Sequence, residues 1–494
     1  MRVFLADLGH DQLTISSDVY PLGVANLATY LAEYHDTEAD FDIRIFRSPA
    51  ELRAALDEQA PEVLGLSSYA WNHNLAMQFA RYAKALRPDT LTVLGGPNFP
   101  LTMEEQESYL RTLTDIDVAS RGPTYESERA FLNLMRRFVE VGGSIDGLLA
   151  KAVQANVWVN HKTGEFVHGG EIPRIPDLDE IPSPYLAGLM DPYLDSGLFP
   201  LLQIARGCPF SCTFCNSATK ENNRIFRHST ENIKTDLMYL ADRVPPETAL
   251  CFSDDNFGMY PQDEEIAEFL GELQDTHGWP KYIRTTTGKN RGDRIIRVMR
   301  KAKGAMPMTS AVQSLNPIVL KNIKRDNISL ETYRDIQREV IGQGMQAYGE
   351  LILCLPGETK ASFLDAVDRL LETGVKRVSA HQLMLLHGAP LANPDQRERF
   401  GFKTRFRVVA RNVGDYLDEP VVETEEIVVE TPEFSFEDYL ECRVFHLLLT
   451  IFFYEGNFEE AFAWTREQGV RPYRVIRILQ GLLDSAPAAF RGMI

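Results

Sequence analysis

IARGCPFSCTFCNSAT, residues 204–219, sets three of the chain's six cysteines, Cys208, Cys212 and Cys215, within eight positions. A disulfide knot, a zinc site, an iron–sulfur site and chance each offer an explanation. The chain has 494 residues, 44% hydrophobic and 24% charged, as a soluble globular protein of several domains would be. Its 51 basic against 70 acidic residues give a formal charge of −19. So acidic a surface repels phosphate backbones and anionic membranes, which disfavours a nucleic-acid partner and points to a small-molecule substrate. MRVFLADLGHDQ has no signal-peptide pattern. The longest apolar stretch, Val444 to Tyr454, is interrupted by His446 and Thr450 and is about half the ~20 residues of a membrane span. A cytoplasmic protein is expected, and there clustered thiols point to metal binding or catalysis before disulfides.

Three thiolates on one loop suit three irons of a [4Fe–4S] cluster and leave the fourth iron open. Zinc wants a fourth ligand, but the nearest histidine, His228, lies thirteen residues beyond Cys215 and there is no second cysteine pair. Cys251, Cys354 and Cys442 stand singly among apolar neighbours and read as small buried hydrophobes.

Outward from this loop, strand and helix patterns alternate. Leu201–Ala205, Ala249–Ser253, Tyr282–Thr286, Thr309–Gln313, Ala347–Leu353 and Arg377–Leu385 read as strands, with helices between them. Six such units suggest a partial barrel with its site at the strands' C-terminal ends. Before residue 140 a second series (Arg2–Leu8, Phe41–Phe46, Glu62–Tyr69, Thr90–Gly95, Ile116–Ala119) alternates with helices in the manner of a doubly wound parallel sheet. Between the two series, WVNHKTGEFVHGG reads as a hairpin and IPRIPDLDEIPSPYL as a linker packed over a surface. The expected division is 1–145, doubly wound domain; 146–199, linker; 200–392, partial barrel; and 393–494, a mainly helical cap with one strand-like stretch, Val421–Glu430.

The C-x3-C-x2-C spacing, with aromatic Phe214 before the last cysteine and the loop following a first strand, resembles the radical S-adenosylmethionine (SAM) superfamily. A doubly wound domain ahead of the barrel resembles its cobalamin (B12)-binding branch, over roughly residues 1–390. The fold implied is α/β: a Rossmann-like cobalamin domain, a partial (β/α)6 radical SAM barrel and the C-terminal cap. By this resemblance Cys208, Cys212 and Cys215 ligate the cluster, and SAM chelates the open iron and is cleaved by one electron to a 5′-deoxyadenosyl radical. Asp254 and Asp255 stand where the family contacts the methionyl amine, although a Gly-Gly-Glu type of motif is absent; the plainer reading is a solvated turn with capping aspartates. Ser314 and Arg325 resemble the pair that holds the ribose and carboxylate, against a surface salt bridge for Arg325. Gly357 resembles part of the adenine-side loop, or simply makes a tight turn.

In the first domain the loops carrying Ser67, Ser68, Tyr69, Trp71 and Asn72, and Gly95, Gly96 and Pro97, correspond to those that cradle the corrin and its tail. Gly122, with Glu126 or Glu128, stands in for the family's G-E-G-E stretch. The D-x-H-x-x-G motif that supplies histidine to cobalt is missing; His10 does not fit it and reads as a loop residue. A flavodoxin-like domain for another ligand is the bland alternative.

The function implied is cobalamin-dependent methylation of an unactivated carbon of a small molecule, with an external one-electron reductant of flavodoxin or ferredoxin type. Rearrangement, ring contraction or cyclisation with the same cofactors is the alternative, and a non-enzymatic iron–sulfur sensor or scaffold the alternative of another class. A methylthiotransferase would need more cysteines, and the first 200 residues hold none. Residues 401–494 are expected to cover the site's mouth, with Arg405, Arg407, Arg411, Tyr416 and His446 as polar groups within reach of a substrate.

Overall fold

Valine, leucine and phenylalanine runs in the first 120 residues form parallel strands buried on both faces, apart from the edge strand at 42–46. The structure, a computed structural model, describes residues 1–120, 126–288, 290–342, 347–375 and 377–492. Strands β1 (Arg2–Ala6), β2 (Asp42–Phe46), β3 (Val63–Ser67), β4 (Leu91–Gly95) and β5 (Val118–Ser120) are parallel in the order β2-β1-β3-β4-β5. Helices Leu22–Tyr34 and Ser127–Glu140 cover one face, where Leu31, Phe131 and Phe138 are buried. Helices Pro49–Glu58 and His73–Leu86 cover the other, burying Leu52, Leu56 and Phe79. Strand order reverses between β1 and β3, so the loops beyond those strands' carboxyl ends splay apart and leave a crevice.

The hairpin expected in the linker belongs to this first sheet. Strands β6 (Asn156–Asn160) and β7 (Glu165–His168) pair antiparallel onto β5 and make seven strands, so the sheet runs past residue 145. Asn160 shapes the turn, its side-chain oxygen accepting from the Lys162 amide at 3.0 Å. Fully buried Trp158 fixes the hairpin's inner face. The remaining strap, residues 169–200, lies in two cores. Ile175, Leu178 and Ile181 pack into the first domain, and Tyr185, Met190 and Tyr193 into the second.

The second domain is the partial (β/α)6 barrel. Strands β8 (Leu201–Leu202), β9 (Ala205–Arg206), β10 (Phe226–Arg227), β11 (Leu250–Phe252), β12 (Ile283–Arg284), β13 (Met308–Gln313), β14 (Ala347–Leu353) and β15 (Arg377–Gln382) follow in chain order. Six form two parallel arcs, β8-β11-β12 and β13-β14-β15. The single strand expected at 201–205 is instead two: β9 turns aside to pair antiparallel with β10 and brackets the cysteine loop.

The C-terminal part opens with a long antiparallel ribbon, β16 (Lys403–Tyr416) and β17 (Glu419–Glu430), before helices Phe436–Leu449, Glu459–Glu467 and Pro472–Gly481. The strand foreseen at 421–430 is therefore paired rather than isolated. One end of the ribbon meets the barrel, where Val428 N–H donates to the Leu383 carbonyl at 2.9 Å. The other reaches the first domain, where buried Glu423 accepts from the Asn74 and Leu75 amides, each at 2.9 Å. Those amides begin helix 73–86, whose N-terminal dipole attracts a carboxylate.

Candidate functional site

Gly207 starts the cysteine loop with φ +112°, and a Cβ there would lie 2.5 Å from the Arg224 carbonyl. The backbone is thus pressed against the segment that leaves the loop, and Cys208 N–H donates to the Asn222 carbonyl at 2.8 Å. Cys208 and Cys212 are buried and Cys215 is half-buried. Asn256 Nδ2 donates to Cys208 Sγ at 3.3 Å, and Arg325 Nη1 faces Cys212 Sγ at 3.8 Å. Burial pushes the Cys215 thiol up to about 11, and the Asp255 charge adds to this. Donors aimed at sulfur suit thiolates bound to a cationic centre. Among the described residues no three His, Cys, Asp or Glu side chains converge on one point as a single zinc ion would require. Thiolates bound to separate irons need no such convergence.

The acidic pair divides. Both Asp254 oxygens accept backbone amides, from Ile204 at 2.9 Å and Ala205 at 2.7 Å, and burial raises its carboxyl to about 7. Asp254 therefore ties the end of β11 to the strand before the cysteine loop, and the expectation that it faces an ammonium group is corrected. Asp255 is exposed and lines the central cavity.

Ser314 is also engaged within the protein. Its Oγ donates to Glu358 Oε2 at 2.6 Å, tying the end of β13 to the turn after β14, with both residues buried. Arg325 is buried, donating to Asn327 Oδ1 at 2.8 Å and to the Ala311 carbonyl, so it is no surface salt bridge. Gly357 has φ +86°, and a Cβ would sit 2.9 Å from Asn322 Nδ2, which fits the tight turn. Phe214 packs at the edge of the core shared by the barrel and the C-terminal helices.

The first domain supplies the opposite wall. An open cavity lies between the domains. Ser67, Tyr69, Gly95, Gly96 and Pro97 line it from one side, and Ser217, Ser253 and Asp255 from the other. A Cβ on Gly96 would lie 2.5 Å from the Ser68 carbonyl, so this close-packed cradle needs glycine. Trp71, 40% exposed, stacks on Tyr69 with ring centroids 4.4 Å apart. Ser68 and Asn72 are buried behind the wall, so their expected place against a corrin is corrected. Ser68 Oγ bonds His73 Nδ1 at 3.0 Å; Asn72 accepts from Tyr69 N–H at 2.8 Å and donates to the Leu8 carbonyl at 2.9 Å. Gly122 lies outside the described residues. Fully buried His10 meets Glu423 at 3.3 Å, away from the cavity lining.

Of the C-terminal polar groups, Arg407 pairs with Glu425, Tyr416 OH meets Asp11, and His446 is turned into the backbone of β15. Sequence reasoning missed Glu358 and Arg206. Both adjoin recognised motifs, but a buried partner distant in sequence leaves no local signal.

Residues 12–132 match the B12 binding domain family and residues 202–400 the Radical SAM superfamily. The cobalamin-dependent radical SAM methyltransferase TokK of Streptomyces tokunonensis is 31% identical over 464 residues, 90% of this chain and 65% of that protein. The 2-(S-pantetheinyl)-carbapenam-3-carboxylate methyltransferase of Streptantibioticus cattleyicolor is 32% identical over 440 residues, 85% of this chain and 61% of that protein. The chain thus spans somewhat under two thirds of the length of these relatives. The structure of the radical SAM methyltransferase TsrM from Kitasatospora setae, with cobalamin and a [4Fe–4S] cluster bound, shares the fold: TM-score 0.61 at 12% identity, over 90% of this chain and 88% of that one. With both domains matched in the order the sequence implied, the chain belongs to the cobalamin-binding branch of the radical SAM superfamily.

Proposed function

We propose that the protein is a cobalamin-dependent radical SAM methyltransferase that methylates an unactivated carbon of a small molecule. The observation that carries this is the shared cavity, bounded by the loops after β3 and β4 on one side and by Ser217 of the cysteine loop and Asp255 on the other. Two cofactors serving one substrate need a common chamber, and the names of the two relatives support methyl transfer.

When bound, the cluster, SAM and cobalamin would supply one-electron cleavage of SAM and a transferable methyl group. Cys208, Cys212 and Cys215 hold three irons, while Asn256 and Arg325 offset negative charge on the Cys208 and Cys212 sulfurs. Asp255 accepts the ammonium of SAM. Tyr69, backed by Trp71, and the Gly95–Pro97 backbone present a flat wall to the corrin. Leu5, Val93 and Phe131 keep the inner end apolar and restrict water near reactive carbon. An external one-electron reductant of flavodoxin or ferredoxin type completes the system.

The test is anaerobic reconstitution with iron, sulfide and hydroxocobalamin, followed by desalting, spectroscopy, and incubation with SAM and dithionite. Retained corrin bands, iron near four per chain and formation of 5′-deoxyadenosine are expected. Loss of corrin on desalting would remove the cobalamin assignment, and absence of SAM cleavage the radical one.

A further inference from the structure

Beside the cysteine loop lies a buried set of four charges drawn from three parts of the chain. Arg206, on β9 two residues before Cys208, is 9% exposed. Its Nη1 and Nη2 donate to the two oxygens of Glu128, at 3.1 and 3.0 Å, a planar fork on a carboxylate. Glu128 is in the first turn of helix 127–140 of the cobalamin domain. Fully buried Glu126 lies 3.6 Å from Arg206 and accepts from Arg174 Nε at 3.2 Å. Arg174, on the strap, also donates to the Glu221 and Arg224 carbonyls at 3.2 and 2.9 Å and to the Arg206 carbonyl at 3.3 Å. These carbonyls stand on both sides of the cysteine motif, so the two arginines hold both ends of the loop against one helix turn of the other domain.

Apolar residues of equal volume would fill this space with less desolvation, and buried charge is best attested where it fixes register. A fork has one geometry, unlike a greasy contact that tolerates sliding. We infer that Arg206 and Glu128 are positioning residues that set the cysteine loop's register on the cobalamin domain, and so the separation of the two cofactor sites. This rests on the proposed function for what the two sites hold, but not for the register itself.

The test uses the full chain, reconstituted as above, with Glu128→Gln, which keeps shape and removes charge, and Arg206→Lys, which keeps charge and removes the fork. Hydrogen exchange at the Cys208 amide is read alongside pulsed paramagnetic resonance between the reduced cluster and cob(II)alamin. Each variant is expected to speed that exchange at least about tenfold and to broaden the interspin distance distribution among the molecules that carry both cofactors. Unchanged exchange in both variants overturns the inference. Faster exchange with an unaltered distance distribution also overturns it, leaving the pair a purely stabilising contact. If the wild type holds neither cofactor, the proposed function fails, and exchange in the cofactor-free chain still decides whether the pair locks loop to domain.

Discussion

Replacing Glu423 by alanine tests how far the C-terminal ribbon sustains the first domain. Glu423 is 1% exposed and accepts two amides of helix 73–86 at 2.9 Å each, with fully buried His10 3.3 Å away. Hydrogen bonds to a charged group contribute about 1.5–3 kcal/mol each, so the two sum to about 3–6 kcal/mol. Water entering the vacated space recovers part of this. The loss expected is about 3–5 kcal/mol. Because the chain has several domains, a single unfolding midpoint is a poor measure. The assay is hydrogen exchange at amides of helix 73–86, with corrin retention after desalting. Amide opening should become easier by that amount. Corrin retention should fall with it, because Ser68 behind the cavity wall is bonded to His73 at the helix start. Glu423→Gln, which can still accept, should lose less than half as much. A loss under about 1 kcal/mol for the alanine variant would refute the view that the ribbon holds this helix.

Cys208→Ala should abolish the brown charge-transfer absorption and the stable cluster; iron still near four per chain would contradict the ligand assignment. Asp255→Asn should weaken SAM binding about tenfold, roughly one lost charged contact, with unchanged thermal stability, whereas Asp254→Asn should cost about 1–3 kcal/mol of stability; calorimetry and SAM titration separate them, and the opposite pattern would reverse the two roles. Gly96→Ala, at φ +93° and 2.5 Å from the Ser68 carbonyl, should destabilise the first domain by about 1–3 kcal/mol and lower corrin retention; a neutral result would show the cradle to be loose. Burial raises the Asp236 carboxyl from 3.8 to about 6. Its ionisation therefore costs stability as pH rises from 4 through 6, and Asp236→Asn should gain on the order of 1–3 kcal/mol at pH 8. That advantage should vanish near pH 4, and urea unfolding at the two pH values checks the sign.

The cysteine loop and the βα alternation were legible because each is local: spacing within eight residues, and apolar runs of strand length. The division of labour between Asp254 and Asp255 was not, because neighbouring side chains at a strand end point opposite ways and sequence does not say which way is in. Strand β16 was missed for a different reason. KTRFRVVARNVGDY sets its five charges on alternate positions but mixes Thr404, Asn412 and Gly414 into the others, so no apolar face stands out, and Arg407 and Lys403 pair with Glu425 and Glu430 across the ribbon. Its turn carries Leu417 and Asp418 at φ +53° and +65°, left-handed positions usually marked by Asn-Gly. The recess behind Ser67 was legible only as a pair of small-residue loops; that Asn72 faces Leu8 rather than the recess depends on a contact across 64 positions.

The strap carries a consequence for assembly. Ile175 and Leu178 are embedded in one half of the molecule, Tyr185 and Met190 in the other. Swinging the halves apart would strip these side chains into water, each at about 1.5–3 kcal/mol, so the segment acts as a rivet and not a hinge. A bulky guest of the central chamber must therefore come in by the mouth, or be caught while the nascent chain is closing around it.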